Sequence, residues 1–221
     1  MNTQAIPNMY PERTVDSSSN FAHQGIPLPL QQLAALAILL ILSPFIAIVM
    51  LLISLESPGG IIFKQVRIGE YGRHFTMYKF RSMFLKTDSR YQEPQPTASD
   101  RQGVCKKYIN DPRVTNMGKF IRKFSVDELP QLINVIKGDM CLIGPRPALA
   151  IETYQYRLSD MARLVGKPGL TGLWQVSGRA NTNFEQQMAL DTHYLNTQSI
   201  INDFTILLKT IPAVLGAKGA Y

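Results

Sequence analysis

Cysteine and histidine are scarce in this 221-residue sequence, which has two of the former and three of the latter. Cys105 and Cys141 are too few and too far apart to build a metal site. His23, His74 and His193 are scattered along the chain and define no cluster. There are no internal repeats, no recognisable nucleic-acid motif and no basic run interleaved with aromatics, so nucleic acid is set aside as a partner. Charge is missing altogether from Leu33–Leu55, "LAALAILLILSPFIAIVMLLISL", a run of 23 residues.

What is present in that run places the protein in a membrane. As a helix it would be about 35 Å long, enough to cross a hydrocarbon core of roughly 30 Å. It is too long for a secretory signal, no basic flank precedes it, and no small-residue cleavage site follows. Ser43-Pro44 lies near its centre. Pro44 removes a backbone donor and clashes with the carbonyl four residues back. Groups freed at that depth must be satisfied within the protein, and the Ser43 hydroxyl stands beside the break. The residues alone leave two topologies open, a kinked spanning helix and a re-entrant helix–break–helix.

Acidic residues are outnumbered, 16 Asp and Glu against 23 Lys and Arg, and the imbalance is local. Residues 1–32 carry Arg13 against Glu12 and Asp16, whereas beyond Leu55 the net charge is +8. The positive-inside rule therefore puts the C-terminal bulk in the cytoplasm, where both cysteines read as free thiols. A basic face beside a membrane suits anionic lipid or phosphorylated ligands.

Residues 1–27 read as a flexible tail, 28–57 as the membrane segment and 58–221 as the domain it anchors. Phe63–Met83 has β-rich flanks around Gly69-Glu70-Tyr71-Gly72, which predicts a hairpin. Thr87–Gln102 is polar and reads as a surface loop. Leu129, Leu132, Ile133 and Ile136 share a helix face that Gly138 ends. Ile151–Leu164 predicts a helix and Lys167–Arg179 a Gly-punctuated loop or strand. Ile200, Phe204, Leu207, Leu208 and Ile211 form another stripe, read as core more than membrane surface, which Pro212 is expected to terminate.

Chemistry gathers at "RKFSVDELPQL", Arg122–Leu132. Ser125-Val126-Asp127-Glu128 fits an S-x-x-E capping box. Against it, Pro130 would then be the fifth helical residue; a helix starting two residues later puts Pro130 in its first turn and Asp127 near the cap. Either way the acids sit where helix N–H groups favour negative charge. Adjacent helical residues point about 100° apart, so the two carboxylates serve different tasks or are simply caps. Arg122 lies close by, Lys79 and Arg81 end the hairpin, and Arg146 is stiffened between Pro145 and Pro147. A planar arginine fork with a fixed direction suits phosphate oxygens. Acids and cations gathered on a membrane-anchored chain point to phosphoryl chemistry. Asp139 reads as catalytic support or a loop acid, and Trp174 as core more than interface.

"SVDELPQLINVIKGDMCLIGPRP" closely resembles the signature of the bacterial sugar transferases, the monotopic polyprenyl-phosphate phosphoglycosyl transferases. "KFRSM", "NDPRVTNMGKFIRK", "KPGLTGLWQVSGR" and the final "GAY" are similar to family blocks in family order. The likeness spans about Leu33–Tyr221 and fits the minimal catalytic form. Phe124 stands where the family more often has a small polar residue, and Val126 where Leu is usual.

The resemblance implies an α+β, mostly helical fold anchored by a re-entrant segment broken at Ser43 and Pro44, with a small hairpin and amphipathic interfacial helices. It implies Asp127 as the nucleophile on a nucleotide diphosphate sugar, by family default a UDP-hexose, and Glu128 as a Mg²⁺ ligand. Arg122 and Arg146 would hold phosphates, with Lys79, Arg81, Pro145 and Pro147 around them. The acceptor would be polyprenyl phosphate (undecaprenyl phosphate), the product an early intermediate of exopolysaccharide or another surface glycan, and the location the cytoplasmic face of the bacterial inner membrane. Homo-oligomerisation is left open. Two other readings remain, a glycosyl transferase that releases nucleoside diphosphate and a non-catalytic scaffold tethered to the membrane.

Overall fold

The computed structural model describes residues 24–94, 111–157, 160–178 and 182–216. The hydrophobic run forms two helices, α1 (Leu28–Ile41) and α2 (Ser43–Glu56), bent by 63° at Leu42. No single helix among the described residues is long and apolar enough to cross a membrane, but this bent pair is by length and composition. The bend has the expected cause. Pro44 removes the i+4 donor of the Leu40 carbonyl, which instead accepts from a backbone amide at the cap of α1 and from the Ser43 hydroxyl at 2.8 Å. Large apolar side chains along both helices are exposed, among them Leu33, Ile41, Ile48 and Leu55.

The predicted hairpin pairs β1 (Ile62–Ile68) antiparallel with β2 (His74–Phe80). Its connection is a 3₁₀ turn over Glu70–Gly72 with Tyr71 at positive φ. Opposed Phe63 and Lys79, Gln65 and Met77, and Arg67 and Phe75 share one side of the ribbon. A second, two-stranded parallel sheet joins β3 (Cys141–Ile143) to β4 (Gly169–Thr171). β3 was not expected; three residues are too few to show a period, and only the partner strand identifies them.

Between the sheets lie α3 (Asn116–Lys123) and α4 (Gln131–Lys137). α4 ends at Gly138 in the left-handed region, as expected. Its buried face is not the purely apolar one. Ile133 is exposed, while Leu132, Val135 and the polar Gln131 and Asn134 are buried. Asn134 accepts from the Tyr78 amide and donates to the Thr76 carbonyl and Asp139, lashing α4 to β2. That bond gives Asp139 a structural place.

The bent helix pair is tied to this body by polar bonds. Gln31 of α1, buried, accepts from the Leu142 amide, and Gln32 donates to the Ile136 carbonyl. Glu56, the last residue of α2, accepts from the first two amides of α3. The main core joins Ala35 of α1 to Leu132, Val135, Met140, Ile143, Tyr194 and Ile206.

The remaining elements correct three expectations. Ile151–Leu164 is not one helix but a single turn, α5 (Ala150–Thr153), and later a 3₁₀ stretch over Asp160–Val165. Lys167–Arg179 holds β4 and a short α6 (Leu173–Ser177), with Arg179 outside the described residues. After α7 (Phe184–Asn196), α8 (Ile200–Leu215) runs past Pro212, because one missing amide in the last turn costs one bond and does not stop the helix. α8 buries Ile206 and Asp203 but exposes Ile201, Phe204, Leu208, Ile211 and Leu215, so most of its apolar stripe is not core. Trp174 is buried, as expected, and so is Cys141. The tail through His23, Cys105, residues 95–102 of the polar loop, and the terminal "GAY" lie outside the described residues.

Candidate active site

The acid pair is presented by a short strained turn, not by a helix cap. After α3, Ser125 takes up φ 53, ψ 22, the left-handed region that costs a non-glycine residue free energy. Val126–Glu128 then make a 3₁₀ turn, and α4 begins only after Pro130. The Ser125 side chain makes no cap hydrogen bond, so the capping box is not formed, and neither acid stands at the first residues of α4. The backbone reversal at Ser125 turns both acids toward a cavity of about 1110 Å³.

One wall of that cavity is the face of the β-ribbon that carries Phe63, Gln65, Arg67, Met77 and Lys79. Lys79 Nζ lies 2.5 Å from Glu128 Oε1 and 4.0 Å from Asp127 Oδ2. Only 13% of the Asp127 side chain is exposed, against 34% for Glu128. Burial raises the Asp127 carboxyl, the Lys79 and Arg122 charges pull it down and the Glu128 charge pushes it up again, leaving it at about 6. Asp127 is thus ionised at neutral pH, yet more basic than an ordinary carboxylate.

Arg122 reaches the same cavity from the last turn of α3 and donates through Nε to Ser82 Oγ at 2.8 Å. Its approach depends on Gly118, where a Cβ would meet the Ser82 carbonyl oxygen at 2.0 Å. Arg146 lines the cavity from the far side with its guanidinium carbon 5.2 Å from the centre of the Trp174 ring. Among the described residues no carboxylate lies within ion-pair distance of Arg146. Pro145 and Pro147 hold the turn that carries it.

Arg81 departs from its expected neighbours. Although its residue lines the cavity, its Nη1 donates to the Pro58 carbonyl and its Nη2 to those of Ser57 and Ile53. These carbonyls lie at and just beyond the end of α2, so Arg81 ties down the C-terminal end of the helix hairpin. Two residues apart on one segment, Lys79 serves the acid pair and Arg81 the bent helix pair.

Arg67 was missed. It is buried, lines the cavity and donates to the Pro147 carbonyl at 3.2 Å. The period-2 relation of Gln65 and Arg67 to Phe63 within the hairpin was the signal that it faces the site. The lining also takes an apolar stretch from Ile38, Leu42 and Phe45 of the bent pair and Leu207 and Val214 of α8, besides further polar residues such as Arg113, Gln131, Gln175 and Thr210.

Among the described residues no group of three or more His, Cys, Asp or Glu gathers as a metal site. Two carboxylates nonetheless suit Mg²⁺, which typically takes one or two from protein and completes its shell with phosphate oxygens and water.

The site thus combines an ionised carboxylate of raised basicity, cations around it and an apolar wall that runs to the bent helix pair. The family model for bacterial sugar transferases matches residues 28–217, and the chain belongs to that family. It is 41% identical over 192 residues to the exopolysaccharide production protein ExoY of Rhizobium meliloti, covering 86% of this chain and 85% of that protein. It is 40% identical over 190 residues to the undecaprenyl-phosphate galactose phosphotransferase of Salmonella typhimurium, covering 85% of this chain but 40% of that protein. The UDP-glucose:undecaprenyl-phosphate glucose-1-phosphate transferase of Caulobacter vibrioides is 38% identical over 200 residues, 87% of this chain and 70% of that protein.

Proposed function

We propose that the chain transfers a sugar 1-phosphate from a nucleotide diphosphate sugar, a UDP-hexose, to undecaprenyl phosphate through a covalent aspartyl intermediate. Asp127 Oδ attacks the β-phosphorus, the bond from that phosphorus to the bridging oxygen breaks, and UMP leaves with the electron pair. The sugar phosphate remains on Asp127 as an acyl phosphate. An oxygen of polyprenyl phosphate then attacks the same phosphorus and returns Asp127 as a carboxylate. One anhydride replaces another, so the net reaction is near balance.

The observation that carries this reading is the environment of Asp127, largely buried and raised to about 6 beside Lys79 in a cavity shared with Arg122 and Arg146. A carboxylate attacks a diphosphate poorly unless the phosphate charge is neutralised first. Arg122 and Arg146 supply cations from two sides, and Lys79 keeps Asp127 ionised. A Mg²⁺ ion arriving with the diphosphate would be held by Glu128 and would neutralise further phosphate charge. The apolar wall from α1, α2 and α8 suits a polyprenyl tail.

The same reading sets α1 and α2 into the inner membrane as a re-entrant pair, with α8 in the interface and the domain in the cytoplasm. Hydrocarbon contact accounts for the exposed apolar stripes on all three helices. Nucleotide release separates this function from the two others. UMP supports it, UDP would indicate a sugar-only glycosyl transferase, and neither would leave a scaffold. Intact-mass measurement with UDP-hexose and no acceptor should add one sugar phosphate to the wild-type chain and none to Asp127→Asn. For topology, a cysteine at Gln24 in a chain lacking Cys105 and Cys141 should react with an impermeant thiol reagent only after lysis. Labelling of intact cells would overturn the cytoplasmic placement.

A further inference from the structure

Behind the Pro145–Pro147 turn, away from the reacting atoms, a second charged cluster is wholly enclosed. Arg163 and Asp191 are each 1% exposed at the side chain, and Arg163 Nη2 meets Asp191 Oδ2 at 2.5 Å. Nη1 of the same guanidinium donates to the Tyr156 hydroxyl and Nη2 also to the Arg146 carbonyl, at 2.7 Å. The cation therefore takes the carbonyl of Arg146, and the anion fixes the cation. Flanking bonds complete the hold, from the Gly169 amide to the Pro145 carbonyl and from Arg67 to the Pro147 carbonyl.

We infer that Arg163 and Asp191 are positioning residues for Arg146, gripping its backbone so that its guanidinium stands on Trp174 and faces the cavity. A buried ion pair is weak evidence of stabilisation, because apolar residues of similar volume often fill such a site at no loss. This pair also leaves Arg163 Nε buried without a partner, a further cost that simple packing would not carry. What the pair adds is direction. Proline restrains φ at 145 and 147 but leaves the peptide group after Arg146 to be oriented, and Arg163, fixed by Asp191, orients it through the carbonyl. What Arg146 holds in the cavity rests on the proposed phosphosugar transfer; that it is held by this pair does not.

The test uses the full chain in detergent micelles and its single tryptophan. Replacing both members, Arg163→Met with Asp191→Leu, removes the grip without stranding a buried charge. Three results are expected from this double variant. Its melting temperature stays near that of wild type. Its Trp174 emission changes as it does in Arg146→Ala, and shows no further change when the two sets are combined. Its kcat/KM for UDP-hexose falls about tenfold, again with no further loss in an Arg146→Ala background. Arg163→Lys covers the case in which the apolar pair folds poorly. It keeps the charge opposite Asp191 but lacks a planar fork for three acceptors, so emission and kcat/KM should move while melting does not. Wild-type emission with either folded variant, or losses that add to those of Arg146→Ala, would overturn the inference. A wild-type chain that releases no nucleotide would instead sink the proposed function, and the emission measurements would still decide the role of the pair.

Discussion

At the cavity one lysine faces two carboxylates, and all three side chains are partly open to solvent. Behind the Pro145–Pro147 turn one arginine faces one carboxylate, and neither is open at all. The first cluster is unbalanced locally: Asp127 lies 4.0 Å from a lysine that Glu128 holds at 2.5 Å, and its carboxyl is raised to about 6. The second is matched charge for charge, and its guanidinium also donates into the backbone of the neighbouring turn. Charge left incompletely neutralised beside a cavity is available to a substrate, whereas charge neutralised in the core can only shape the chain around it. The two kinds of cluster meet at Arg146, whose side chain belongs to the first and whose backbone to the second.

Asp127→Asn is the largest blow to the first cluster. Turnover and adduct should both disappear, a loss of at least about 10³-fold, because an amide does not attack phosphorus. Stability should move the other way. The folded pKa of about 6 lies above the ordinary 3.8, so the native state holds this proton more tightly than the unfolded chain does. The contribution favours folding below the ordinary value and is lost as pH rises through about 6. At neutral pH the ionised acid is a net cost, and the amide should recover on the order of 1–3 kcal/mol. Thermal melts at pH 7.5 and pH 4.5 check this, with the gain shrinking at the lower pH. An inactive variant less stable than wild type at pH 7.5 would mean that Asp127 is a structural acid.

Lys79→Met attacks the same cluster through its cation. Wild-type kcat/KM should rise with pH along an acid limb near 6, as Asp127 ionises. Without Lys79 the limb should move upward, and the rate at pH 7 should fall by about 10². A limb that stays where it was would separate Lys79 from Asp127 and leave the ammonium to Glu128 alone.

Much of this contrast was readable in the residues and some was not. The apolar run with Pro44, the hairpin and the stop at Gly138 each carry a local signal, and each formed as expected. Asp127, Glu128, Lys79, Arg122 and Arg146 came together at one cavity because short segments near one another in sequence brought most of them. Arg81 did not follow Lys79, since nothing local says that the carbonyls of Ile53 and Ser57 lie within its reach. Asn134, Arg163 and Asp191 were not singled out, for a related reason. A polar residue in a helix reads as solvated until a strand or turn distant in sequence supplies its partners. Ser125 fits a local cap pattern, S-x-x-E, against which Pro130 already argues, but nothing local announces its left-handed backbone.

Arg146→Lys probes the point where the two clusters touch. The backbone grip should survive, so melting should hardly change, but a point charge replaces the planar fork over Trp174. We expect kcat/KM for the donor to fall about tenfold, read by UMP release. A rate equal to wild type would remove Arg146 from the cavity chemistry, while the emission measurements would still decide whether the buried pair holds its backbone.

The smallest effect concerns a polar contact with no charge at all, and it tests whether satisfaction of backbone groups is as strict in the bent helix pair as in the buried pair. Pro44 removes the i+4 donor of the Leu40 carbonyl, and the Ser43 hydroxyl, at 2.8 Å, joins a cap amide in covering it. Ser43→Ala should therefore destabilise the chain by about 1 kcal/mol, with activity within about twofold of wild type, since neither residue reaches the acid pair. Pro44→Ala restores an amide at position 44 that can donate to the same carbonyl and favours a straighter helix. The two changes must then interact: in a Pro44→Ala background Ser43→Ala should cost almost nothing, because the carbonyl already has its helical donor. Four melting curves of the full chain in one detergent complete the cycle. An equal cost of Ser43→Ala in both backgrounds would mean that the hydroxyl does not compensate the proline, and the bend at Leu42 would need another source of support.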